Sequence, residues 1–245
     1  MILEKRVDEE KINFRDVVQV ITEAFSATEM EPVRDTIISV IGLTNPVAGV
    51  GLAAIDSAMK QYNDYRLRLL LMGLAAGNSV EKRISQLYNF VRSSPERAIE
   101  VANILKKTIN AESPKVCVIY GMVLAEHAAD KSAFSQTELI LCKALENATD
   151  YDIRNFKTIM EKCIVTNKLG FRVVKCRMEE LKKYEYTCQW AAYNRIFKLE
   201  TADFGELSSE DGEYEPLIMD TGYQVTEIAD LLMEKIRKIQ QVLSY

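Results

Sequence analysis

The stretch that decides the fold is Ser113–Glu126, SPKVCVIYGMVLAE. Ser113-Pro114 is a helix start: Ser suits the cap and Pro the first turn, where its missing N–H costs nothing. Val116, Cys117, Val118, Ile119, Met122, Val123 and Leu124 then leave almost no polar face. A helix that is apolar all round has to be surrounded, so this one is expected at the centre of a bundle.

The flanking sequence reads as the helices that surround it. Upstream, Val80, Ile84, Leu87, Tyr88 and Val91 form one stripe, and Ala98, Val101, Ala102, Leu105 and Ile109 form another. Ser93-Ser94-Pro95-Glu96 separates the two as a stop and restart, with Ser94 as cap. Downstream, Ser135-Gln-Thr-Glu138 has capping-box spacing. Asp150 is expected to cap a helix bearing Ile153, Phe156, Ile159, Met160 and Cys163 that ends at Asn167 to Gly170. Toward the N-terminus, Phe14, Val17, Val18, Ile21 and Phe25 predict a helix over Asn13 to Ala27, and Glu31-Pro32 starts another.

Residues 36–55 carry no charge. A transmembrane span needs about 20 apolar residues. Asn45-Pro46 interrupts this run, and an unpaired polar group at its centre would be costly in lipid. The expectation is a helical hairpin over 36–76 turning at Asn45-Pro46, with Gly42, Gly49 and Gly51 permitting close helix approach. Conditional membrane contact by the same residues is the alternative.

Past Gly170 the character changes. Residues 168–198 hold eight basic and three acidic side chains, while 200–234 hold eleven acids and no Lys or Arg. Gly205 to Glu215 reads as a flexible acidic loop, within an acidic stretch taken as 200–215. Tyr214 to Met219 and Tyr223 to Val225 are expected to pair as a short hairpin around Asp220-Thr-Gly222. Thr226 is expected to cap a last helix whose Val225, Ile228, Leu232, Ile236, Ile239 and Leu243 repeat nearly by sevens, as in a packing seam or a self-associating coiled coil. The fold class is therefore mainly α: a multi-helix bundle over 1–170, then a small winged-helix-like α+β module over 171–245.

At 245 residues and 48% hydrophobic, the chain is long enough to bury a sizeable core. The formal charge of −5 argues against a polyanion binder as a whole. Cys117, Cys142, Cys163, Cys176 and Cys188 form no CxxC pair and read as free thiols in a reducing compartment. With a charged N-terminus that lacks the apolar core of a signal peptide, a cytoplasmic location is the default expectation.

Catalytic signatures are missing from the sequence. The single histidine, His127, has no nucleophile or ligand-spaced partner nearby and reads as structural. Gly49-Val-Gly51 lacks the Lys-Ser/Thr of a phosphate loop. Neither cofactor nor metal is expected. The charged stretch after Gly170 offers a candidate interaction surface in Arg172, Lys175, Arg177, Lys182, Lys183 and Trp190. Tyrosines interleave these bases, so nucleic acid is one reading; an acidic wing would repel phosphate and favours a protein partner. Self-association through the last helix is a further reading.

The apolar hairpin followed by YNDYRLRLLL, then SSPERAIEVANIL, ESPKVCVIYGMVLAE, FSQTELILCKALENATDYDIRNF and GYQVTEIADLLMEKI, resembles a diffuse group of bacterial and prophage helical proteins. Some of these sit near phage-defence or abortive-infection genes. The likeness covers roughly 36–240 and is one of architecture, without a catalytic signature. Ribonucleases of abortive-infection systems often place an Arg a few residues before a His; residues 121–126 contain none. The resemblance implies a role in phage–host conflict. The expected function is a non-enzymatic interaction protein, with a membrane-acting effector using 36–55 and a nucleic-acid-binding winged-helix regulator as alternatives. The resemblance carries over no functional residue.

Overall fold

The computed structural model describes residues 65–76, 80–167, 169–175, 178–200 and 222–244. The expected helix over Asn13 to Ala27, the hairpin turn with Gly42, Asn45, Pro46, Gly49 and Gly51, Arg177, Cys176 and the acidic stretch after Glu200 lie outside these residues. The described chain is mainly helical, with a small four-stranded antiparallel sheet near the C-terminus.

Helix α1 covers 65–74. It is followed by α2 (Val80–Arg92), α3 (Pro95–Asn110), α4 (Pro114–Asp130) and α5 (Gln136–Ala144), which runs into a 3-10 turn at Leu145–Asn147. Next come α6 (Asp150–Lys162), β1 (Ile164–Thr166), β2 (Arg172–Val174), α7 (Met178–Tyr193), β3 (Phe197–Glu200), β4 (Gly222–Val225) and α8 (Glu227–Ser244). Two compact units emerge: the described residues up to Asp150 together with those from Glu234 onward, and Tyr151–Met233. The expected boundary at 170 falls inside the second unit, in the loop between β1 and β2.

In the first unit every residue of α4 from Val116 to Ala125 is buried, as its sequence requires. Helix α1 crosses α4 at glycine. A Cβ on Gly73 would fall on the Val118 carbonyl oxygen and lie 3.1 Å from Gly121 Cα; one on Gly121 would fall on the Leu70 carbonyl oxygen and 2.7 Å from Leu74 N. These neighbours are backbone atoms that cannot swing aside, so only glycine fits at either position. At one end of the same helix, the buried Arg66 guanidinium donates to the Ile109 carbonyl in the last turn of α3. A cation suits that position because the final helix carbonyls lack intrahelical partners. The wholly buried Tyr120 hydroxyl donates to the Cys142 carbonyl at 3.0 Å, tying α4 to α5.

The helix starts form much as the sequence suggests. Ser94 and Ser113 accept from backbone N–H groups of their first turns. Ser135 and Glu138 complete both halves of the capping box. The Asp150 carboxylate accepts from the Ser113 hydroxyl and lies 3.6 Å from Lys115 Nζ, linking the start of α6 to the start of α4.

The second unit departs further from expectation. Helix α6 stops at Lys162, before Asn167; Asn167 and Gly170 lie in the turn of a hairpin between β1 and β2. The β-branched run Ile164-Val165-Thr166 prefers a strand. Asn167 shapes the turn, its side-chain oxygen accepting from the N–H groups of Leu169 and Phe171, while Gly170 takes φ +83. The sheet order is β1-β2-β4-β3, with α7 between β2 and β3 in sequence. Strand β4 pairs with β2 and β3, so the partners found for Tyr223 to Val225 are Val173, Val174 and 197–199, with Tyr214 to Met219 outside the described residues. Phe156, Phe197 and Tyr223 pack against one another with tilted rings, their centroids 5.6 and 6.3 Å apart. The Thr226 hydroxyl, expected as a cap, donates to the Ile196 carbonyl at 2.7 Å and anchors the start of α8 to the residue just before β3.

The seven-residue seam of α8 is buried by the chain itself at Ile228, Leu232, Ile236 and Ile239. Lys235 lies in it at 1% exposure, bonded to Glu126 on α4, which also accepts from Lys238 at 2.9 Å. Burial pushes the Glu126 carboxyl up, but the hydrogen bonds from Lys235 and Lys238 outweigh it and hold it below its ordinary value.

Two expectations follow. Ala normally favours a helix over Gly by about 1 kcal/mol, yet Gly73→Ala or Gly121→Ala should each lower urea-unfolding stability by about 3 kcal/mol through backbone overlap. Glu126→Ala leaves Lys235 buried and unpaired. It should cost about 2 kcal/mol, less than for a fully buried pair because Glu126 is partly exposed, whereas Lys235→Met should be near neutral. The pair's contribution should be present above about pH 4.5, the ordinary Glu value, and fade as pH falls through the lower folded value. Urea midpoints of the variants across pH check both.

Candidate interaction surface

Helix α7 divides into two faces. Tyr184, Thr187, Cys188 and Ala191 recur at helical spacing and are buried. Thr187 fixes this inner face to α6: its hydroxyl accepts from Asn155 Nδ2 at 3.3 Å and lies 3.4 Å from an Asp152 carboxylate oxygen. The outer face carries Lys182, Lys183, Glu185, Tyr186, Gln189 and Tyr193, all exposed. Tyr186 is 81% exposed and Tyr193 89%. They stand two turns apart, about 10 Å along the axis. Trp190 lies between them in sequence, half-buried, and its indole N–H is shielded from solvent with no acceptor among the described residues. A shielded donor without an acceptor is costly, and buried indole N–H groups usually find one.

The residues singled out in the sequence meet different fates. Lys182, Lys183 and Trp190 share α7, with Lys183 Nζ 5.4 Å from the centroid of the Tyr184 ring. Lys175 is exposed just past β2. Arg172, at the start of β2, is engaged by Asp230 of α8, its Nη1 lying 2.7 and 2.8 Å from the two carboxylate oxygens. That pairing offsets the charge Arg172 would bring to phosphate. In the sequence the α7 tyrosines stand out only as companions of the bases. Their distance from the buried stripe by helical phase was the signal that Tyr186 and Tyr193 face outward.

His127 is buried. Its Nε2 lies 2.9 Å from Glu138 Oε1 and its Nδ1 3.0 Å from the Ser132 hydroxyl, while Phe134 stacks on the ring at 4.1 Å. An ionised carboxylate only accepts, so Nε2 carries the proton toward Glu138. Nδ1 is then an acceptor and takes a hydrogen bond from the Ser132 hydroxyl. Together these contacts fasten the loop between α4 and α5. Among the described residues no three His, Cys, Asp or Glu side chains gather to hold a metal ion, and no helix is long and apolar enough to cross a membrane. No family model, curated protein or solved structure matches the chain.

The thiols of Cys117, Cys142, Cys163 and Cys188 are free and buried. Burial pushes those of Cys117, Cys142 and Cys188 up to about 12. The thiolate is the reactive form, so these three should resist a disulfide reagent at pH 8 in the folded protein and react fully once unfolded. A time course of reagent release in the presence and absence of denaturant, with modified sites mapped by mass spectrometry, checks this.

Proposed function

We propose that the protein is a non-enzymatic interaction protein that binds another protein through the outer face of α7. The observation that carries this reading is the pair of tyrosines, 81% and 89% exposed, two turns apart on the outer face of α7. Aromatic side chains contribute disproportionately to protein interfaces, where a partner supplies both apolar cover and hydrogen-bond acceptors. A winged-helix-like reading of 171–245 belongs to the same proposal: α7 is the presented helix, and β3 and β4 flank the acidic segment in the manner of a wing. The phage–host setting implied by the resemblance says where to seek the partner, among host and phage proteins of the native cell.

A second reading, nucleic-acid binding, draws on the exposed Lys182 and Lys183 beside these tyrosines. The engagement of Arg172 by Asp230 and the acids on either side of β4 weigh against it. The membrane reading of 36–55 rests on sequence alone and is addressed by liposome flotation.

Tyr186→Ser combined with Tyr193→Ser should leave the melting temperature nearly unchanged, because surface substitutions usually shift stability by less than about 0.5 kcal/mol. The pair should abolish recovery of any partner captured from the native host by the unaltered protein. Capture should also survive about 0.5 M salt, which phosphate-driven binding would not. Recovery unaffected by the double substitution would remove the α7 face from the account; salt-labile binding lost on reversing Lys182 and Lys183 would establish the nucleic-acid reading.

A further inference from the structure

The fold gives His127 two partners that its sequence context did not suggest. Nε2 lies 2.9 Å from Glu138 Oε1, and Nδ1 lies 3.0 Å from the Ser132 hydroxyl. A hydroxyl, an imidazole and a carboxylate are thereby joined in one line. A nucleophile within hydrogen-bond reach of a base that a third group orients is the arrangement that activates serine. Here the hydroxyl faces Nδ1 and the acid faces Nε2; either nitrogen of a neutral imidazole can be the acceptor.

Local structure holds each member in place. Lys131 turns left-handed just past α4 (φ 53, ψ 28), which brings Ser132 back to the side chain five residues before it. Arg97 Nη2 fastens that turn, donating to the Lys131 carbonyl at 2.7 Å. The second Glu138 oxygen accepts from the N–H and the hydroxyl of Ser135 at 2.8 and 2.6 Å, so the carboxylate is fixed at both oxygens. Burial pushes the Glu138 carboxyl up, but the bonds from Ser135 and the pull of His127 hold it below its ordinary value. Phe134 stacks on the imidazole with centroids 4.1 Å apart and sets the plane of the ring.

Exposure differs along the line. His127 is 5% exposed, whereas Ser132 is exposed. A hydroxyl at the surface needs no protein acceptor, because water serves nearly as well. The base beneath it is shielded, so its lone pair is kept for that one hydroxyl. A reagent can therefore reach the nucleophile while water is held from the base.

We propose that Ser132 is a nucleophile that takes an acyl group from an activated ester, with His127 as its base and Glu138 as the residue that positions the imidazole. As Ser132 Oγ bonds to the ester carbonyl carbon, its proton passes to Nδ1. Once protonated, Nδ1 donates to the Ser132 carbonyl, 3.2 Å away, while Nε2 keeps its bond to Glu138. The bond to the leaving-group oxygen then breaks, and that oxygen takes the proton from Nδ1. Acyl-Ser132 and neutral His127 remain. An aryl ester or an acyl phosphate fits, because its leaving group is a stable anion that asks little of an acid. Each chain is acylated once, which is self-modification rather than turnover. It goes beyond the α7 reading and uses residues of the other unit, so either can fail without the other.

The test is acetylation of the full chain by p-nitrophenyl acetate, read as release of p-nitrophenol and as site occupancy by peptide mass spectrometry. Ser93, also exposed, is the internal reference. Ser132 should be acetylated at least about a hundredfold faster than Ser93, the scale expected of a positioned base. That advantage should vanish in denaturant. Ser132→Ala should remove the initial burst of p-nitrophenol while circular dichroism shows the chain folded. His127→Gln would remove a packed ring along with the base, so Glu138→Gln is the sharper variant. Gln keeps the capping-box geometry but puts no charge against the imidazolium. It should slow Ser132 at least about tenfold with little change in melting temperature. Acetylation of Ser132 no faster than Ser93, or equally fast in denaturant or in Glu138→Gln, would overturn the proposal.

Discussion

The backbone contact of α1 with α4 at Gly73 and Gly121 is the constraint on which the first unit depends. Each glycine sits where a methyl group would occupy the other helix's carbonyl. At that separation main-chain atoms pack against main-chain atoms, and the large side chains on either side (Leu69, Leu70, Leu71, Leu74, Val118, Met122) are buried around the crossing. The apolar circumference of α4 follows: a helix touched this closely on one side and covered on the others has little solvent to face. Arg66 and Tyr120 then fasten its neighbours through carbonyls that would otherwise lack partners.

The same economy governs the polar chemistry. Among the described residues several titratable groups serve the fold. His127 and Glu138 hold the loop after α4, the pKa values of three thiols are raised by burial to about 12, and Glu126 neutralises a lysine inside the α8 seam. On α7, by contrast, the side chains of Tyr186 and Tyr193 turn to solvent.

What the sequence disclosed and what it hid follow from range. Helix starts at Ser94, Ser113 and Ser135 are decided within four residues, and the burial of Ala98, Val101 and Leu105 follows from one helical stripe. The centrality of α4 was legible because no solvent-facing side could be drawn on it. The glycine crossing was not: Gly73 and Gly121 are far apart in the chain, and each alone reads as a mild helix defect. The pairing of Arg172 with Asp230 is equally non-local, which is why Arg172 looked available for a ligand. Strand β1 was overlooked because three residues carry little periodic signal, although all three are β-branched. The α7 face lay in between. Its stripe was readable, but only the fold shows that Tyr184, Thr187 and Cys188 take the inner side.

Native-state hydrogen exchange on the full chain tests the central claim most directly, because it reports which helices open together. The account predicts that amides of 69–74 and of 116–125 exchange slowest, with a common opening free energy equal to that of global unfolding. Exchange of 69–74 through a separate opening well below the global value, with 116–125 still protected, would contradict it, since α4 would then hold its place without the glycine contact.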